Sequence, residues 1–515
     1  MHTVDLTTPM EQGGYAVFLP ALSTFYLKQL AKLDSEPDFH GVDRLPPTFD
    51  RGHTGMNYLR PDAYYYYKWS LYSAGHARLD LSRAVTEESM VHQRPRQHSM
   101  ILGDSGGYQV TKGVSHFKNI NWDTFGGKGG DKIRQEILEW LEATADWSMT
   151  LDIPAVAIYE NPKIKTFQDT LDLSIINLDY FVKHRTPGKT RFLNVLSGGS
   201  SENSKTWYDA VVGYNDPAVI QKMGYSPDRA LEGFAFAGIN KSHMRTVLER
   251  FLDLRDDGML ERADWIHFLG IGRLDWACYL TAIQRQIREH HNPQAVISFD
   301  AASAFVAASK GLTYTHNVFQ PKRWGYNMTN AIDERTMKGS KLPMPFQSPI
   351  MDRLTVGDIC RLGPGEPNKQ GKVANTSWDN MSYLLLMAHS VYNHVQSVIE
   401  ANRLVDYEMS RSTYQNVTYH DWAPAKKNCS STEISDFVPS SVLYFNRFVE
   451  KLFDPANPNP RGMLEDNRRF LETISFGQKD HSRFDEFFAT PVTQDPDQDL
   501  ADGDDDDLRR LEDSQ

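Results

Sequence analysis

Cysteine is scarce in this chain. Its 515 residues include three, Cys278, Cys360 and Cys429. They stand too far apart for a disulfide framework or a CxxC metal clip, so a reducing compartment is expected. Long hydrophobic runs are missing too: none approaches the ~20 residues of a membrane span, so no membrane partner is expected. The opening MHTVDLTTPMEQGG has no basic segment leading into an apolar one. No secretory signal is therefore expected, and the cytoplasm is the expected location. Balanced charge is lacking at one end only. Residues 495–515 carry ten acidic residues against two arginines, most of the net charge of -12. That block reads as a self-repelling acidic tail over 491–515. The rest is nearly neutral, so overall acidity does not exclude a nucleic-acid partner, although local basic patches are then required.

What is present suits a large folded core: 40% hydrophobic and 11% aromatic residues. Short strand-like runs recur at 15–20, 99–104, 147–152, 191–197, 233–238, 265–272, 295–300 and 311–316. Between them, 132–146, 242–258 and 275–291 have the apolar spacing of helices. Strand–helix alternation with eight strands predicts an α/β fold, a (β/α)₈ TIM barrel. Several runs end on a polar residue, namely Asp104, Asp152, Ser197 and Asp300. The C-terminal ends of barrel strands are where active sites gather. The expected division is a catalytic barrel over 1–330 with an insertion around 40–98, then a mostly helical C-terminal extension over 331–490, then the tail. In the insertion, DAYYYYKWSLYSAGHARLD reads as a packed helix face. HQRPRQHS reads as a basic loop on the side opposite the site. SYLLLMAHSVYNHVQSVIEANRLV (382–405) reads as a long amphipathic helix.

The stretch ILGDSGGYQV (101–110) carries Gly-Asp-Ser-Gly-Gly, which also surrounds the nucleophile of chymotrypsin-like proteases. That reading fails. Such enzymes place their histidine and aspartate before the serine on an all-β double barrel. Here about a hundred residues precede Ser105, and an α/β pattern follows.

The same stretch resembles the tRNA-guanine transglycosylases, the queuine tRNA-ribosyltransferases. Further segments resemble that family in order: SMTLD (148–152), VLSGGSSEN (195–203), EGFAFAG (232–238), HFLGIG (267–272) and ISFDAA (297–302). LLLMAHSVYNHVQ resembles its C-terminal helix. The family's CxCxxC zinc cluster is missing. His389 matches its zinc histidine without cysteine partners, which implies that no structural zinc is bound. Ser197 stands where the family has a base-contacting Gln, and Ala301 where it has Cys. This pattern is similar to the DNA-directed branch, the DpdA-like DNA transglycosylases of phages and bacterial gene islands.

The resemblance implies replacement of guanine in DNA by a free 7-deazaguanine base such as preQ0, an alteration that protects DNA from nucleases. Duplex DNA with the target base flipped out is the implied partner, together with helper proteins of the same modification system. A zinc-free tRNA enzyme and a non-catalytic nucleic-acid-binding barrel are the alternative readings. Retention at C1′ calls for two displacements through a covalent carboxylate ester, with no cofactor. Asp300 is the expected nucleophile and Asp104 the expected general acid/base. Asp152 is expected to read the N1–H and amine edge of the base. Each of the three also suits a turn or helix cap. Ser105, Gly106, Gly107, Tyr108, Ser197, Gly198, Gly233, Leu269 and Gly270 are the expected substrate contacts. Lys112, Lys322 and Arg323 are the expected phosphate contacts.

Overall fold

The computed structural model describes residues 2–41, 43–321, 323–367, 376–411 and 435–476. The expected tail over 491–515 and Cys429 lie outside the described residues. Eight parallel strands form one sheet that curls into a nearly closed barrel. They are β1 (Val17–Pro20), β2 (Trp69–Ser73), β3 (Met100–Asp104), β4 (Trp147–Met149), β5 (Arg191–Leu196), β6 (Gly233–Phe236), β7 (Trp265–Phe268) and β8 (Val296–Ala301). β8 pairs back onto β1, with Asp300 opposite Leu19. The remaining seam, between β1 and β2, is one isolated bridge from Ala21 to Leu71. Backbone N–H groups alternate in direction along a strand. Ala21 donates to Ala301 on β8, and Leu22 donates to Leu71 on β2. The nitrogen of Pro20 therefore faces β2 and has no proton to give.

Helices alternate with the strands. α1 (Thr24–Ser35) follows β1. α2 (Gly107–Lys112) and α3 (Asp131–Thr144) follow β3. Then come α4 (Phe167–His184), α5 (Ser201–Val211), α6 (Met244–Asp256), α7 (Leu274–His290) and α8 (Ser303–Ser309). Past α8, β9 (Leu312–Gln320) and β10 (Arg323–Asn330) form an antiparallel hairpin outside the barrel. α9 (Asn380–Ser410) crosses behind it. α10 (Ser440–Phe453), α11 (Pro460–Asp466) and α12 (Arg468–Phe476) complete the described residues. The last helices are tied to the barrel's outer layer: the Met244 amide donates to Ser475 Oγ at 2.8 Å, and Arg461 bonds Asp253 at 2.8 Å. Among the described residues, no helix is long and apolar enough to cross a membrane.

Which side chains face the lumen follows from strand alternation. In β5, Asn194 bonds Val211 O and Asn215 in the outer layer, so Leu193, Val195 and the following Ser197 face inward. A Cβ on Gly103 would meet Leu141 and Ala145 on and just past α3, so Leu102 and Asp104 face inward. Phe236 and Phe268 stack on each other and against Phe251 of α6, which turns Trp265, His267 and Leu269 inward. Trp265 Nε1 donates to Ser298 Oγ at 2.6 Å, so Ser298 and Asp300 share that interior. Trp147 and Trp265, with ring centroids 5.5 Å apart, fill the lower lumen.

Seven of the eight expected runs coincide with barrel strands. The eighth, 311–316, lies in β9 of the hairpin instead. The strand that closes the count is β2, inside the aromatic stretch expected to be helical. It is buried on both faces: Tyr72 packs outward on Trp140 at 5.6 Å, while Trp69, Leu71 and Ser73 point inward. A doubly buried strand loses the polar–apolar alternation that marks a strand. The region 40–98 is therefore in part barrel wall. HQRPRQHS does lie at the lower end, before β3.

Candidate active site

Asp300 sits inside β8, with 9% of its surface exposed. It caps no helix, because α8 starts at Ser303 with Ala302 at its N-cap and no side-chain cap. Its Oδ1 accepts the Gly270 amide at 2.7 Å and faces His267 Nε2 at 3.1 Å. The histidine is buried, and its Nδ1 lies 2.8 Å from Ser298 Oγ. An indole N–H can only donate, so Ser298 accepts from Trp265 and has its own proton for His267 Nδ1. A carboxylate oxygen only accepts, so His267 Nε2–H is assigned as the donor to Asp300 Oδ1. Both donors meet Oδ1. Oδ2 takes no hydrogen bond from a described residue.

Asp104 ends β3. The Ser73 hydroxyl of β2 donates to its Oδ2 at 2.6 Å, and the Gly106 amide donates to its Oδ1 at 3.2 Å. Its pKa is raised above the ordinary carboxylate value. Burial is the main cause and the Asp300 charge adds to it, while the hydroxyl, the amide and His76 pull the other way. Asp152, in the loop after β4, is pushed up to about 7 by burial and by the Asp104 charge. The three carboxylates thus gather at one end of the barrel, with Asp104 coupled electrostatically to each of the other two.

The loop between β3 and α2 needs its glycines. Gly106 has φ +76°, and a Cβ there would come 2.5 Å from the Gly75 amide nitrogen. A Cβ on Gly107 would come 2.3 Å from the Asp152 carbonyl oxygen, so the residue lets the β3 and β4 loops touch. Ser105 is buried and donates to Thr150 O at 3.2 Å, a contact that joins the same two loops. Tyr108 is half-buried, with Lys112 Nζ 4.6 Å above its ring. Lys112 also lies 3.9 Å from Glu160. Ser197 is fully buried, and its Oγ has no hydrogen-bond partner among the described residues. Leu269 and Gly270 follow β7 on the same rim as Gly198, which follows β5.

Gly233 departs from expectation. It opens β6 at the lower end, where a Cβ would come 2.1 Å from the Trp265 carbonyl oxygen. Its glycine identity therefore serves strand packing and not ligand contact. The rim end of β6 is Phe236, followed by Ala237 and Gly238. Lys322 lies outside the described residues. Arg323 begins β10 in the hairpin, so its place follows β9 rather than a barrel strand. The hairpin still reaches the rim, where Tyr326 Oη donates to Gly272 O at 2.9 Å.

Sequence reading gave no role to His267, Ser73, His76 or Lys241. His76 on the β2 loop lies 3.0 Å from Gln109 Nε2 of α2. A Cβ on Gly270 would come 3.0 Å from Lys241 Nζ, so this cation stands beside the amide that holds Asp300. His267 carried one readable signal, a lone polar residue at an inward position of WIHF, opposite Ser298 in register. His389 is held within the protein: Nε2 faces Tyr314 O and Nδ1 faces Ser348 Oγ, both at 2.8 Å. Burial lowers its pKa to about 4. Among the described residues, no group of three or more His, Cys, Asp or Glu is arranged to hold a metal. No protein-family model and no curated protein sequence matches the chain.

Proposed function

We propose that this protein is a DNA-guanine transglycosylase that exchanges guanine for a 7-deazaguanine base of the preQ0 kind. Asp300 Oδ2 attacks C1′ of the flipped nucleotide. The glycosidic C–N bond breaks, its electron pair leaves with guanine, and Asp104 supplies the proton the departing base needs. A glycosyl ester on Asp300 results. The incoming base then loses its ring N–H proton to Asp104, attacks C1′ and displaces the carboxylate. Asp104 ends protonated as it began, so the cycle balances without a further cofactor. Asp152, with a pKa of about 7, accepts the N1–H and amine that guanine and its 7-deaza analogue both present. Extruding the nucleotide costs a few kcal/mol, which pocket and phosphate contacts offset.

The observation that carries this reading is the one-sided grip on Asp300. Two donors hold Oδ1 and leave Oδ2 for attack, beside a carboxyl group whose raised pKa suits it to give and take a proton. The test is exchange itself. The protein is incubated with isotopically labelled base and either duplex DNA or tRNA, and the nucleosides are then analysed. Label in DNA supports the proposal. Label in tRNA alone makes this a tRNA enzyme. Label in neither polymer, with nucleic-acid binding retained after Asp300→Asn, makes it a non-catalytic binder.

A further inference from the structure

The loops after β3 (residues 105–130) and β4 (150–166) leave the barrel beside Asp104 and Asp152 and run to α3 and α4. They are stitched into one ridge. Asn161 Nδ2 donates to Thr111 O at 3.2 Å, Lys163 Nζ bonds Asp123 at 2.9 Å, and Gly107 abuts Asp152. On this ridge stand Lys112, Lys118, Lys128, Lys163 and Lys165. Apart from Asp152 in the mouth, the two loops contain only two carboxylates, Asp123 and Glu160. Lys118 and Lys128 are exposed and form no ion pair among the described residues. Tyr159 rises from the same ridge with 72% of its surface exposed, more than any other large hydrophobic residue described.

We infer that this ridge seats the nucleic-acid strand next to the target nucleotide, with Lys118 and Lys128 on phosphates and Tyr159 stacked on a flanking base. The identity of the strand as DNA rests on the function proposed above. Excess positive charge tracks a phosphate backbone. An exposed aromatic ring offers a stacking platform that tolerates any base. A flipped nucleotide needs its neighbours held while it is out of the stack. The basic segment at the other end of the barrel offers no such surface: Arg94 and Arg96 turn to Asp146, and Lys68 pairs with Glu11.

The experiment measures binding of the full-length protein to a labelled guanine-containing DNA strand, its duplex and a tRNA across a salt series. Lys118→Gln with Lys128→Gln is expected to lower the duplex slope of log affinity against log salt by about 1.8, at ~0.9 per phosphate contact. Tyr159→Ala is expected to weaken single-strand binding about 5- to 150-fold, and Tyr159→Phe to retain it. Lys183→Gln with Lys222→Gln, exposed near the lower end, is the control and is expected to change little. Ridge variants that bind DNA like the wild type overturn the ridge and leave the DNA reading intact. A wild type that binds tRNA but not DNA, with weaker ridge variants, keeps the ridge and overturns the DNA reading. A wild type that binds neither overturns both.

Discussion

At the lower end of the barrel, Arg94 is fully buried and meets Asp146 at 2.6 Å, and Asp146 also accepts the Ile101 amide at 2.9 Å. Arg185 is paired in the same way with Glu232, which accepts the Phe192 amide at 2.8 Å. Each acid stands just before one strand and grips the first residues of its neighbour, so these pairs pin register. At the upper end, Asp104, Asp152 and Asp300 crowd together. Their contacts there are a hydroxyl, two backbone amides and an imidazole. The lower pairs set a buried guanidinium against a half-buried carboxylate of opposite sign. Like charges buried together push protons onto one another, and perturbed groups of that kind mark functional sites. One scaffold thus uses its lower end to hold shape, and its upper end is where the exchange chemistry is proposed.

The contrast can be broken by substitution. Asp300→Asn is expected to abolish base exchange, by about 10⁴- to 10⁶-fold as when a nucleophile is lost, with the melting temperature maintained. Exchange assays and calorimetry check this, and an exchange-competent variant would remove Asp300 from its role. Asp104→Asn is expected to cost about 10²- to 10⁴-fold in exchange rate, with the pH optimum altered. Arg94→Ala is expected to act in the opposite sense. Loss of the buried guanidinium and its bonds to Asp146 and Val91 O costs about 1–3 kcal/mol of stability, with Asp146 still held by Arg96, read from denaturant unfolding, while exchange by the folded fraction stays near normal.

Two smaller effects sharpen the comparison. Asp152 holds its proton more tightly in the folded state, at about 7 against the ordinary 3.8. Stability is therefore lost as pH rises between those two values. Asp152→Asn is expected to raise the melting temperature at about pH 8, by ~1 °C for each kcal/mol recovered, and to leave it unchanged at about pH 4. Because Asp104 is the like charge beside it, Asp104→Asn is expected to lower the Asp152 pKa. The pH midpoint for binding free base then moves below about 7, as titration calorimetry would record.

Much of the barrel was legible because an apolar run ending on Asp or Ser is what a buried parallel strand with a polar tip looks like. The places of Asp104, Asp152 and Asp300 at one end of the barrel were readable for that reason. β2 was not, since tyrosines buried on both faces imitate a helix's apolar side. The run at 311–316 has strand character, but pattern alone does not say which sheet a strand joins. Gly233 was misjudged because a glycine needed for close packing and one needed for a ligand read identically. His267 needed the register with Ser298, which exists only in three dimensions.

Pro20 makes the barrel wall a ribbon whose two ends meet at one stitch. The amide of Leu22, on that stitch, is expected to be among the first in the wall to exchange with deuterium. Its neighbour, the amide of Ala21, bonds Ala301, the residue after Asp300. Loosening of the stitch is thereby transmitted to the mouth, and a molecule seated against Asp300 would slow exchange at both amides.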